Sequence, residues 1–463
     1  MPPLLQIKNL QVDFISDGTS TSALKNISIE VNRGKVTAIV GESGSGKSVT
    51  SLSVLQLIPS PPVKYSAGEI LFTKSNNETV DLLKVSAVEM QKIRGNEIAM
   101  IFQEPMTSLN PVYTCGNQVM EAIQLHQKIS SEQAKQKTIQ LFEKVKLSDP
   151  AGIFNRYPHQ LSGGQKQRVM IAMAMCCFPS LLIADEPTTA LDVTVQKTIL
   201  YLIKELQQQE NMGVIFITHD LGVVAEIADN VIVMYRGEIA EQGTVENIFK
   251  NAQHPYTKAL LACRPLLHQK GERLPVVSDF MREEGSEPTA RNYKPNTNKN
   301  NQPIEPQTTN YQQQAFIEVK NLNVWFSSKK TFLGKTTEFI KAVNNVSFEI
   351  VKGETLGLVG ESGCGKTTLG RTLLRLIEPR SGKIFFDGKD LLSYPKEALR
   401  EMRKEIQIIF QDPYSSLNPR LTIGSSIAEP MQVHGILSTS KQRKDKVVEL
   451  LEKVNLKAEH FNR

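Results

Sequence analysis

The sequence predicts an α/β fold with a largely parallel sheet core, present twice along the chain, the second copy incomplete. Three observations predict it. The chain repeats itself: IKNLQVDF at 7–14 returns as VKNLNVWF at 319–326, GESGSGKS at 41–48 as GESGCGKT at 360–367, and IFQEPMTSLNP at 101–111 as IFQDPYSSLNP at 409–419. Internal similarity of this kind marks a duplicated structural unit. The apolar runs 36–40 and 356–359 each end at a glycine and lead into a helix-compatible stretch. Further apolar runs at 181–184 and 214–218 alternate with helical stretches at 162–175 and 194–209. Short apolar runs bounded by glycine and separated by helices belong to buried strands of a parallel sheet.

At 463 residues, with 40% hydrophobic and 22% charged residues, the chain has the length and composition of two or three ordinary globular domains. The longest apolar stretch, 169–178, falls far short of the ~20 residues of a membrane-spanning helix. The N-terminus, MPPLLQIKNLQVDF, lacks the basic, apolar and small-residue segments of a signal peptide. Any membrane connection is therefore expected to run through partner proteins. The five cysteines, Cys115, Cys176, Cys177, Cys263 and Cys364, show no C-x-x-C spacing and read as reduced thiols. Net charge is +6, yet residues 1–263 hold 23 Lys and Arg against 25 Asp and Glu, so the excess lies further on. Spread thinly and without interleaved aromatics, it does not point to nucleic acid.

Between the copies, residues 278–314 are rich in Asn, Gln, Pro, Thr and charge, with almost no apolar residues. Such a stretch buries too little to offset its ordering entropy, so a flexible linker is expected. The expected division is a first domain at 1–265, a linker at 266–315 and the start of a second domain at 316–463.

Both glycine-rich strings fit G-x-x-x-x-G-K-[ST], the phosphate-binding P-loop. Its glycines let the backbone curl so that N–H groups face phosphate oxygens at the positive end of the next helix. In the first loop the candidates are Gly41, Ser43, Gly44, Ser45, Gly46, Lys47, Ser48 and Val49. In the second they are Gly360, Ser362, Gly363, Cys364, Gly365, Lys366, Thr367 and Thr368. Lys47 and Lys366 would reach the β- and γ-phosphates of ATP, while Ser48 and Thr367 would ligate Mg²⁺ through their hydroxyls. Cys364 stands where the first loop has Ser45, a small residue for a small residue.

A P-loop serves kinases, GTPases and ATPases alike, so the motifs downstream of it decide between them. LLIADEP at 181–187 is a buried strand delivering Asp185 and Glu186 at its C-terminal end, where open α/β sheets bind ligands. Asp185 suits a Mg²⁺ shell, and Glu186 suits orienting and deprotonating an attacking water. LSGGQ at 161–165 sets the hydroxyl of Ser162 and the amides of Gly163 and Gly164, followed by Gln165, at the start of a helix. That is a second anion site. One domain has no need of two, but two domains packed face to face can each cap the other's nucleotide.

With these motifs the chain resembles the ABC ATPase family over nearly its whole length outside the linker. The resemblance implies two P-loop NTPase domains, each with a parallel sheet core, an antiparallel β subdomain and a helical subdomain. It also assigns roles by motif match. Phe14 and Phe326 stand where an aromatic ring stacks on adenine, although lone aromatics serve equally as core residues. Gln103 and Gln411 match the glutamine that touches Mg²⁺ and the lytic water. Leu191 and Asp192 match the interface D-loop, and His219 in FITHD matches the switch histidine that holds the γ-phosphate. The strings FQEPMTSLNP and FQDPYSSLNP, with HPYT inside NAQHPYTKALLACRP at 251–265, are similar to the peptide/nickel import branch. His254 of HPYT reads as structural. Some of that branch carry a cysteine cluster beyond HPYT, and with Cys263 alone no iron–sulfur centre is expected here.

The resemblance implies an ATP-driven subunit of an importer for peptides or peptide-like solutes such as glutathione, nickel or peptide antibiotics. It would sit peripherally on the cytoplasmic face of the inner membrane. Its partners would be integral membrane permease subunits and an extracytoplasmic solute-binding protein, with a second ATPase copy as a further option. The alternative is a soluble two-cassette ATPase of translation or DNA repair. FNR at 154–156 recurs at 461–463, six positions short of where a second signature serine would fall. The expectation is therefore a fragment or interrupted frame, weak or inactive alone, of a protein of roughly 570 residues on the repeat estimate.

Overall fold

The structure, a computed structural model, describes residues 2–16, 19–103, 108–189, 191–263, 275–276, 280, 315–330, 336–411 and 416–463. They fall in two units, Met1–Asn298 and Lys299–Arg463. The expected linker lies almost wholly outside the described residues, as do 104–107 and 412–415 of the paired glutamine strings and Ala190.

The strands of the first unit, in chain order, are β1 (Leu5–Ser16), β2 (Thr19–Val31), β3 (Val36–Val40), β4 (Val63–Thr73), β5 (Thr79–Asp81), β6 (Ile98–Ile101), β7 (Leu181–Asp185), β8 (Gly213–Ile217), β9 (Asn230–Tyr235) and β10 (Glu238–Thr244). They build an antiparallel sheet in the order β2-β1-β4-β5 and a six-stranded sheet in the order β10-β9-β3-β8-β7-β6. Within the second sheet only β10 runs antiparallel to its neighbour. Every residue of β3, β7 and β8 is buried. Strands covered on both faces have no solvent side, which is why these segments read as unbroken apolar runs rather than alternations. β3 pairs with β8 on one side and β9 on the other, so the phosphate loop springs from the middle of the sheet.

The helices expected at 162–175 and 194–209 form as Gly163–Ala174 and Val193–Glu210. Ser162 caps the first by accepting from the Gln165 N–H, and Asp192 caps the second through the Val195 N–H at 2.9 Å. A cap of this kind stabilises a helix by about 1 kcal/mol.

The second unit has strands β11 (Ala315–Lys330), β12 (Thr336–Val351), β13 (Ser381–Phe386) and β14 (Lys389–Asp390), in the order β12-β11-β13-β14. This reproduces the antiparallel sheet of the first unit down to its irregularities. Asn9 and Asn321 both sit at φ +48, and their N–H groups donate to Ser28 Oγ at 3.0 Å and Ser347 Oγ at 2.8 Å. The repeated FNR string also gains a reason. The Arg156 and Arg463 carbonyls accept from Cys115 N–H and Ile423 N–H, each at 2.8 Å, at the starts of the helices Cys115–His126 and Ile423–Val433. The Phe154 and Phe461 rings crowd Gly116 and Gly424 so closely that no Cβ would fit on either glycine.

One expectation fails. Residues 356–359 form no strand, and neither do 406–410, the counterpart of β6. A parallel strand has no hydrogen bonds of its own and depends on its neighbours. Among the described residues of the second unit there are no counterparts of β7, β8 and β9. Consequently Leu358 is 53% exposed, Val359 89% and Ile409 98%, whereas Val40 and Ile101 are 1% exposed.

Candidate nucleotide-hydrolysis site

The loop leaving β3 turns through three glycines, with Gly41 at φ +154, Gly44 at +79 and Gly46 at +104. Gly41 has no room for a side chain, because a Cβ there would stand 2.2 Å from the Met234 carbonyl oxygen on β9. Gly46 precedes the helix Lys47–Val54, whose first residue folds back over the loop. Lys47 Nζ donates to the Gly41 and Glu42 carbonyls, both at 2.8 Å. Burial holds the lysine below its usual pKa, against the pull of the Glu186, Asp185 and Glu42 carboxylates. Ser43 and Gly44 are exposed, Ser45 is buried, and Ser48 and Val49 are half-buried.

β7 delivers Asp185 beneath this loop. Burial raises its pKa, the neighbouring Glu186 adds to that, and a hydrogen bond from Ser48 together with Lys47 works the other way. Its Oδ1 is buried without a partner. A hydroxyl and a carboxylate joined in this way, with one carboxylate oxygen unused, fit a hard oxygen-seeking dication such as Mg²⁺.

Glu186, the next residue, takes a left-handed conformation at φ +46, and its N–H donates to the Ile217 carbonyl of β8 at 3.0 Å. That turn brings its side chain to a point where three others meet. Gln103 Nε2 donates to Glu186 Oε2 at 3.3 Å, Thr189 Oγ1 donates to it at 2.9 Å, and His219 Nδ1 lies 3.3 Å from it. The three arrive from the ends of β6, β7 and β8. A carboxylate fixed by several donors at a sheet edge, beside a buried lysine and a phosphate loop, is equipped to hold and deprotonate water next to a phosphoryl group.

The structure therefore brings together Lys47, Ser48, Gln103, Asp185, Glu186 and His219. Ser162 and Gln165 instead close on each other in a capping box, with Gln165 Oε1 accepting from Ser162 N–H at 3.1 Å, and Ser162 and Gly163 are exposed. Gly164 packs close to Val195. Phe14 is partly buried against the core beneath the antiparallel sheet, and Phe326 is 42% exposed. In the second unit, Lys366 Nζ donates to the Gly360 and Glu361 carbonyls at 2.6 and 2.7 Å and to Cys364 Sγ at 3.5 Å. Cys364, Thr367 and Gln411 are exposed. Among the described residues no acidic pair or histidine completes that second set.

Two contributors carry almost no signal in the sequence. Thr189 lies three residues after Glu186 in a string already singled out, and that spacing is its only mark. Tyr256, in HPYT, accepts a hydrogen bond from the Glu42 N–H of the phosphate loop at 2.9 Å. No local pattern announces a bond across 214 residues.

The sequence profile of the family described as "ABC transporter" matches residues 24–189 and 343–463. A second profile, "Oligopeptide/dipeptide transporter, C-terminal region", matches residues 240–292. The glutathione import ATP-binding protein GsiA of Escherichia coli K12 is 48% identical over 462 residues, which is 99% of this chain and 71% of that protein. Its counterpart from Salmonella choleraesuis SC-B67 is 46% identical over the same extent. An import ATP-binding subunit works with permease partners in the membrane, and among the described residues no helix is long and apolar enough to cross one. By its profiles and its relatives, this chain belongs to the ABC transporter family, as an ATP-binding subunit whose ATP hydrolysis energises transport.

Proposed function

We propose that the chain drives the import of peptides or peptide-like solutes, with glutathione the foremost candidate. The convergence of Gln103, Thr189 and His219 on Glu186 Oε2 carries the catalytic part of this reading. The oligopeptide/dipeptide profile over 240–292 and the GsiA relatives support the class of solute.

In the proposed cycle, the triphosphate of ATP enters the loop 41–48 and Lys47 exchanges the Gly41 and Glu42 carbonyls for phosphate oxygens. Ser48, Asp185 and Gln103 would hold Mg²⁺, which neutralises phosphate charge when bound. Glu186 takes a proton from the attacking water, while Gln103, Thr189 and His219 fix its orientation. Ser162–Gln165 cap a nucleotide held by another cassette, such as a second ATPase copy. The second loop, with Lys366, Thr367 and Gln411, binds nucleotide in the same manner. Phe14 and Phe326 stack on adenine. The division into 1–265, a linker at 266–315 and a second domain from 316 belongs to the same proposal. So does a peripheral position on the cytoplasmic face of the inner membrane, with solute delivered by an extracytoplasmic binding protein.

Uptake of labelled glutathione and of a labelled dipeptide tests the reading, in cells that express the chain with the permeases of its own gene neighbourhood. Uptake of either solute that disappears in Glu186→Gln is the expected result. ATP hydrolysis without uptake of either would remove the solute assignment.

A further inference from the structure

We propose that Tyr256 is a positioning residue for the phosphate loop, through which the segment after the ATPase core sets the loop's affinity for nucleotide. The proposal rests on the reading of residues 41–48 as the ATP-binding loop.

The loop's Glu42 residue is gripped from two sides. Its carbonyl accepts from Lys47 Nζ at 2.8 Å, and its N–H donates to the Tyr256 hydroxyl at 2.9 Å. The first grip comes from within the loop and is repeated in the second unit, where Lys366 holds the Glu361 carbonyl. The second comes from the helix Pro255–Ala262 and belongs to the HPYT segment.

That helix is built to keep the phenol in place. Tyr256 is fully buried, in a cluster with Val40, Val224, Val231 and Val233, and its ring lies 4.3 Å from that of Tyr235 on β9. The start of the helix is fastened to β10. Glu241 accepts from the Gln253 and His254 N–H groups at 2.8 and 3.1 Å, and His254 Nδ1 accepts from the Tyr256 N–H at 3.1 Å. His254 is thus the cap that aims Tyr256. Burial pushes the phenol up to about 12, so it keeps its proton throughout the working pH range.

A loop rich in glycine has many conformations, and holding phosphate selects one of them. Fixing the Glu42 peptide before the ligand arrives lowers that ordering cost, which raises affinity without any contact to the nucleotide. Tyr256→Phe keeps the ring and its packing while leaving the part-buried Glu42 N–H without its acceptor.

The test uses the whole chain and a fluorescent ATP analogue, titrated in magnesium buffer at 10 °C. Tyr256→Phe is expected to weaken binding roughly tenfold. Leu260→Ala, which thins the packing of the same helix without touching the loop, should lower thermal stability while leaving affinity within twofold. Lys47→Ala serves as the test of the loop itself. If Lys47→Ala leaves binding unchanged, the reading of the loop falls and this proposal with it. If Lys47→Ala weakens binding while Tyr256→Phe matches the wild type, or if Leu260→Ala weakens it as much as Tyr256→Phe, the proposal alone is overturned. Hydrogen exchange of the ligand-free wild type gives an independent reading. Slow exchange at the Glu42 amide supports the strap, and exchange at the rate of an open loop overturns it.

Discussion

The two phosphate loops have nearly the same backbone in very different surroundings. Their glycines adopt φ values of +154, +79 and +104 in one and +154, +84 and +102 in the other. Each lysine turns back to the same two carbonyls. The first loop nevertheless stands on a strand hydrogen-bonded on both edges, with Lys47 only 7% exposed. The second follows a segment without sheet partners, and Lys366 is only half-buried. The loop's shape is thus a local property of about eight residues. The electrostatics that equip it for the proposed catalysis come from strands encoded well over a hundred residues later.

That contrast breaks or sharpens under four substitutions. The largest effect belongs to Glu186→Gln, which should reduce ATP hydrolysis by the whole chain ~10²–10⁴-fold while nucleotide binding persists. Phosphate release measured against an ATP-binding titration checks it. Hydrolysis above a tenth of wild type would mean that the second loop works without a sheet behind it, and the contrast would collapse.

Gly41→Ala and Gly360→Ala come next, the same change at the same φ. The first drives a Cβ into the Met234 carbonyl, and the second meets only the flexible Cys364 Sγ at 2.8 Å. In scanning calorimetry Gly41→Ala should lower the unfolding temperature of its unit by about 5–10 °C and Gly360→Ala by about half as much. Equal losses would show that backbone strain, not the neighbouring strand, dominates at both positions.

The smallest effect has the opposite sign. Burial raises the pKa of Asp185, so the folded, ligand-free protein binds its proton more tightly than the unfolded chain does. The stability this contributes is complete below the unfolded value of ~3.9 and is lost as pH rises through the raised folded value. Above that raised value the charged carboxylate is therefore a liability that function retains. Asp185→Asn should raise the ligand-free unfolding temperature by about 2–4 °C and weaken the gain on adding MgATP. A drop in the ligand-free value would show that the Ser48 hydrogen bond outweighs the burial.

Much of this is legible in the sequence, for reasons that vary by residue. Lys47, Ser48, Asp185 and Glu186 belong to short strings whose spacing is fixed by a strand end or a helix start. Ser162 stands at a helix start that its own string marks. The strand expected at 356–359 fails because an apolar run specifies burial but not its partners. Thr189 and Tyr256 stay hidden for the complementary reason: an ordinary hydroxyl becomes part of a site only through what the fold sets beside it. The repeat is a sign of duplication, and it also marks contacts that are local enough to form twice, such as Phe154 on Gly116 and Phe461 on Gly424.

The sheet order has a consequence for synthesis. β3 ends at Val40 and waits for β9, which begins at Asn230, 190 residues later, before its second edge is paired. At ~5–20 residues per second that is a delay of ~10–40 s. During this interval the emerging chain carries a glycine loop with its lysine but an unfinished platform beneath it. The glycine loop leaves the ribosome long before the strand beneath it is paired on both edges, and any factor that shields nascent apolar strands would find its target there.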